Sequence, residues 1–303
     1  MNSEKEIKKE GPRTRFRAHD TFFIRKGWLS KGMKNIKLDP SVFMGTNSNP
    51  MDVLGIGANM VKALRYWMQA VGLTEEPQSG RKEQSFTRLG EIIYENDPYV
   101  EEMGTLWLLH YMLATNKEDA TAWYFFFNEF KPNEFTKDDF VKHLQNYLRM
   151  IDEDVSERSL EDDYNCIIST YVPRIKSNPE KVHPESNIDC PLGELGLIDI
   201  LNKKNKIYKK SSPSKDTLHP LILLAAILKQ AGNEKEIRIS SIQNDIFNAG
   251  KVFNLDIISL INLLYKVEHM GYIKVVRTAG LDIIRIEKEM TFEDCIKEYY
   301  RTI

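Results

Sequence analysis

His19, Asp20 and Thr21 stand in a row, with Arg25, Lys26 and Lys31 close behind. An imidazole beside a carboxylate can take a proton from water. The carboxylate can hold a divalent cation, and nearby guanidinium and ammonium groups can balance charge building on a phosphorane. The candidate catalytic set is therefore His19, Asp20 and Arg25, with Asp20 as metal ligand for Mg or Mn and Lys31 placed to meet DNA phosphate. A plainer reading fits the same residues: Asp20 caps a helix carrying Phe22, Phe23 and Trp28, and His19 bonds backbone. His110, inside an apolar run, reads as a hydrogen-bonded core histidine. The acidic runs Asp152-Glu153-Asp154 and Glu161-Asp162-Asp163 are dense enough for a metal, yet such runs are usually solvated loops; Asp97, Glu101 and Glu102 are alternative carboxylates. Gly55-Ile56-Gly57 is followed by no Walker Lys-Ser/Thr and lacks a third glycine, so a nucleotide fingerprint fails. Serine-hydrolase, zincin and deaminase motifs go unmatched. Cys166, Cys190 and Cys295 form no CxxC pair, which argues against both a disulfide framework and a structural zinc.

Charge says where a polyanion could approach. The 303 residues carry 42 Lys+Arg and 44 Asp+Glu, a net of -2 that hides strong segregation. Residues 1–37 hold 11 basic and 4 acidic side chains, a net of +7; residues 91–163 hold 6 and 18, a net of -12; residues 201–215 return to +6. A basic N-terminal segment suits nucleic acid, and the acidic middle would repel it. The longest strongly apolar run, Leu221 to Leu228, is far short of a bilayer span, and the chain opens on Lys and Glu rather than an apolar leader, so the expectation is a cytoplasmic protein with no membrane partner.

The elements that must position these groups follow from periodicity. Met60, Val61, Leu64, Trp67, Met68 and Val71 recur every three or four residues, with Gly72 as a C-cap. Asn59, Lys62, Arg65 and Gln69 fall on the other side, the pattern of a recognition helix that reads DNA. A polar spacer, 74–84, then leads into Ser85 to Ile93, with a Thr-x-x-Gly turn at Thr87, the order of a wing followed by a helix. Asp256 can cap a second such helix ending at Gly271, followed by a hairpin, 272–277 and 281–286, turning at Thr278-Ala279-Gly280. Its polar face is only weakly basic, so this unit could bind DNA through Lys274 and Arg277 or dock protein. Between them, Asp97-Pro98 reads as a helix cap, and Trp123 to Phe127, aromatic all round, reads as core rather than as base-stacking platforms.

Longer phrases carry a resemblance. Phe16-x-x-His19-Asp20-Thr21-Phe22-x-x-Arg25-x-Gly27-Trp28-Leu29-x-Lys31-Gly32, Leu54-Gly55-Ile56-Gly57-x-Asn59-Met60-Val61-x-x-Leu64-Arg65-Tyr66-Trp67, Asp97-Pro98-Tyr99-x-Glu101, Thr105 to His110 and Trp123-Tyr124-x-x-Phe127-Asn128 are the main ones. They resemble a bacterial family of formerly unknown function encoded in DNA phosphorothioation operons, that of the SspB-like nicking component of the Ssp system. Asp20, Ala58 and Ala63 depart from it, where Glu, Lys and Ser are expected. The resemblance implies a DNA-nicking endonuclease of phosphorothioate modification and antiphage defence. Its implied partners are double-stranded DNA, a cysteine desulfurase, an ATPase and a phosphoadenylylsulfate-reductase-like component. It transfers no catalytic residue. A non-catalytic DNA-binding adaptor presenting DNA to the sulfur-transfer partners is the alternative.

The expected fold is mainly α with small β-wings. It has a flexible tail (1–10), an N-terminal winged-helix-like DNA-binding domain (11–95), an acidic helical domain (96–200), a basic linker (201–216) and a C-terminal winged-helix-like domain (217–303).

Overall fold

The computed structural model describes residues 14–173, 189–214, 216–278 and 281–303; the expected tail lies outside them. It is mainly α with small antiparallel sheets, as expected. The N-terminal region contains α1 (Trp28–Leu38), α2 (Pro50–Leu54), α3 (Ala58–Ala70), a short pair β1 (Thr74–Glu75) and β2 (Ser85–Phe86), and α4 (Arg88–Asn96). The predicted recognition helix is α3. Val61, Leu64, Trp67 and Met68 are buried on one side, and Gly72 follows with φ 72°, a left-handed conformation that glycine adopts without a Cβ penalty. Thr87 caps α4 by accepting the Gly90 N–H at 3.0 Å, and a Cβ on Gly90 would lie 1.9 Å from the Leu73 carbonyl oxygen. The Thr-x-x-Gly turn thus lets α4 close against the end of α3.

The middle holds α5 (Met103–Thr115), α6 (Thr121–Tyr124) with a π-helical turn Phe125–Glu129, β3 (Glu134–Phe135), α7 (Lys137–Met150) and α8 (Glu157–Tyr171). Apolar on all sides, α5 is enclosed, as such a helix must be. Asp97-Pro98 does not start it. The Asp97 carboxylate accepts the Glu101 and Glu102 N–H groups, each at 3.0 Å, and the helix begins at Met103.

Part of the stretch expected as a basic linker, residues 201–202 and 207–210, is strand. β4 (Ile198–Asn202) and β5 (Ile207–Lys210) form a hairpin, and β5 also pairs with β3 in the order β3-β5-β4. Tyr208 packs beside Phe135 and Tyr164. Lys210 donates from Nζ to the Phe126 carbonyl at 2.7 Å and to the Phe130 carbonyl, closing the π-helical turn. Its charge suggested solvent, but its amine spans the end of a helix.

The C-terminal region runs α9 (Pro220–Ala231), β6 (Glu236–Arg238), α10 (Ile239–Asn244), α11 (Ala249–Val252), α12 (Ile257–His269), β7 (Ile273–Thr278), β8 (Leu281–Ile286) and α13 (Phe292–Thr302). The sheet order is β6-β8-β7, all antiparallel, with α12 leading into the β7–β8 hairpin. α13 then returns to lie against α9 and α4. Tyr299 accepts the Gly104 N–H at 3.0 Å through its hydroxyl, and its ring occupies the space a side chain on Gly104 would fill. One connected hydrophobic core therefore runs from Ile24 to Tyr299. Among the described residues no single helix is long and apolar enough to cross a membrane.

Candidate nucleic-acid interface

The segment before α1 is a strap laid across the middle region. Arg15 pairs with Asp119 at 3.3 Å, Arg17 with Asp162 at 2.9 Å, and the Arg17 N–H donates to Asp163 at 2.9 Å. Arg17, Asp20 and Thr21 all have positive φ (56°, 51° and 68°), a conformation rare for non-glycine residues and strained for a β-branched one. His19 is fully buried in this strap. Its ring stacks on Trp67, meets Trp123 edge-on, and contacts Asp163 through Nε2 at 2.6 Å. Nδ1 accepts the Thr21 N–H at 3.1 Å, which places the ring proton on Nε2 as donor to the Asp163 carboxylate. Burial pushes the Asp163 carboxyl above the usual carboxylate range, against the hydrogen bond from His19. His19 therefore bonds both backbone and a buried acid, with no open path to a scissile phosphate.

Asp20 is half-buried and sits in the turn, whereas α1 starts at Trp28 with Gly27 at its N-cap, so Asp20 caps no helix and Phe22 and Phe23 precede it. Among the described residues no three of His, Cys, Asp and Glu converge as a metal cage. Arg25 lies over the rings of Trp28 and Phe22, at 5.4 and 5.9 Å. The remaining acids are dispersed: Asp97 is occupied with backbone, Asp152 and Glu153 follow the end of α7, and Asp162 and Asp163 hold the strap.

The outer side of α3 keeps part of its expected character. Asn59 and Lys62 are exposed, at the end of the helix where Gly57 supplies no side-chain cap. Lys31 reaches over from α1 and donates to the Leu54 carbonyl at 2.7 Å, next to Gly55. Arg65 is engaged: Nε and Nη2 bond the two Glu76 carboxylate oxygens at 2.6 and 3.0 Å, and Nη2 also reaches the Lys82 carbonyl. Gln69 and Gln84 each donate to Glu76 at 3.1 Å. Instead of aiming at base edges, Arg65 and Gln69 fasten the 76–84 wing to α3, leaving Arg81 exposed on that wing. Sequence reading missed Glu76, whose role shows only when the loop folds back, and the pairing of Asp163, named there only within an acidic run, with the distant His19.

In the C-terminal region Lys274 pairs with Glu268 at 3.2 Å, while Arg277 is exposed on β7. Residues 279 and 280 of the expected turn lie outside the described residues. His110 is the expected core histidine: Nε2 donates to the Val252 carbonyl at 2.7 Å, Tyr171 bonds Nδ1 at 2.8 Å, and burial lowers its pKa to about 4. The run Trp123 to Phe127 is buried throughout, and all three cysteines are buried and free.

A family model described as "Protein of unknown function (DUF4007)" matches residues 16–300. The fold is similar to a magnesium ion-bound SspB crystal structure, with a TM-score of 0.83 and 26% sequence identity over 96% of this chain and 89% of that one. An SspB crystal structure matches with a TM-score of 0.82, the same identity and the same coverage. No curated protein matches.

Proposed function

The chain belongs to the DUF4007 family as an SspB-like member, and from that premise we propose that it is the DNA-nicking component of a bacterial phosphorothioate modification and antiphage defence system. The likeness to SspB along nearly the whole chain carries this reading. The exposed end of α3 supports it with Asn59 and Lys62, the residue types that meet base edges and phosphates in a major groove. In this reading α3 enters the groove, Lys31 and the basic N-terminal segment hold phosphate, and the wing fixed by Arg65 and Glu76 flanks the helix. Magnesium, present in the SspB structure, is the ion to supply. The test is conversion of supercoiled plasmid to open circle with Mg²⁺ or Mn²⁺, beside duplex binding by the same preparation. Nicking establishes the enzyme; binding without nicking under any divalent ion refutes it.

That second outcome would favour the adaptor reading, in which the chain presents DNA to a cysteine desulfurase, an ATPase and a reductase-like protein. The burial of His19 favours this alternative, because it withdraws the general base that the sequence offered.

A further inference from the structure

The C-terminal unit turns a different chemistry to solvent from that of α3. On α12, Ile257 is 47% exposed, Ile258 71% and Tyr265 37%, and Leu281 at the start of β8 is 44% exposed. Clustered aliphatic side chains left in water on one face mark a contact surface more often than scattered ones do. Ile257 and Leu281, but neither Ile258 nor Tyr265, line a groove of about 790 Å³ between α10, α12 and the hairpin. Ile257 and Ile261 line one part, Ser240 and Asn244 another, and Arg238, Arg277 and Asp282 also border it.

The lysines nearby are engaged: Lys266 with Asp216 and Lys274 with Glu268. Among the described residues Arg238 and Arg277 form no ion pair, although Asp282 stands opposite Arg277 in the hairpin register. A duplex would press base edges against isoleucines that cannot hydrogen-bond, leaving those polar groups desolvated without compensation. An aliphatic floor bordered by free guanidinium groups instead complements an aliphatic stripe edged with carboxylates, which arginine binds in bidentate fashion.

We propose that this groove docks one amphipathic helix of a protein partner, with aliphatic anchors against Ile257, Ile261 and Leu281 and acidic side chains on Arg238 and Arg277. The test uses the full chain and two fluorescent helical peptides of about five turns. Both carry one leucine stripe, flanked in one by glutamates and in its twin by lysines. The glutamate peptide binds, and the twin binds about tenfold more weakly or worse, a gap of about 1.4 kcal/mol. Ile257→Glu, at a half-exposed groove position, removes peptide binding; Arg277→Glu reverses the preference between the peptides. Duplex affinity is unchanged in Ile257→Glu. Equal binding of the peptides, or of neither, overturns the proposal. So does loss of duplex binding in Ile257→Glu, which would assign the face to DNA, or a dimer in light scattering that Ile257→Glu dissolves, which would assign it to a second copy.

Discussion

Removing the His19 ring would leave the Asp163 carboxylate buried with the Arg17 amide as its remaining donor. Breaking one side of such a buried pair costs about 3 to 5 kcal/mol, so His19→Ala should unfold at markedly lower denaturant. Asp20→Asn should stay within about 0.5 kcal/mol of the parent, since asparagine tolerates the left-handed backbone found there. Nicking by Asp20→Asn at the parental rate would also retire Asp20 from the chemistry. On α3 the two cations separate by their partners. Lys62→Ala should lower the salt dependence of DNA binding by about 0.9 in the logarithmic slope if it neutralises one phosphate. Arg65→Ala should instead free the wing, read as faster limited proteolysis within 77–83, because its guanidinium holds Glu76. The residue types at both places were legible in the sequence. What was not legible was occupancy: Glu76 and Asp163 claim Arg65 and His19, and sequence spacing says nothing about which acid returns to which cation.

Helix periodicity and glycine punctuation made α3 and α12 readable almost to the residue, whereas the pairing of β1 with β2 begins inside a stretch that read only as a polar spacer. The segment 201–216 misled because a run of lysines signals solvent, while a strand buries every second side chain and asks only that a buried amine be satisfied. Lys210 is that case, with burial lowering its pKa from 10.5 to about 7. Between those two values the unfolded chain binds a proton there that the folded chain does not. This group's contribution therefore makes stability rise with pH from about 7 to about 10.5, and leaves it flat below. The slope is about 1.4 kcal/mol per pH unit. Lys210→Met should be less stable throughout, because two buried carbonyls lose a donor, and its deficit should widen as pH rises. Denaturant titrations of both proteins across that range check this; a constant gap would mean that the amine stays charged.

At the scale of the whole molecule, the sequence marked composition shifts near residues 95 and 200 but not the core that crosses them. Composition follows surface charge, whereas the continuity of the core depends on contacts such as Gly104 with Tyr299, whose separation along the chain no pattern reveals. Tyr299→Ala should cost about 3 to 5 kcal/mol through the cavity it opens. Calorimetry should show one transition moved downward as a unit; a split into two would mean that the regions melt independently. The return of α13 to α4 also sets a timetable. A ribosome delivers residues in order, and segments completed early can fold while the rest is made. Here the surface of α4 waits for a helix some two hundred residues later, so the nascent chain carries an unfinished apolar seam through most of its synthesis. Chaperone occupancy on translating ribosomes should persist until α13 emerges, and products stalled before it should be cleared as misfolded chains.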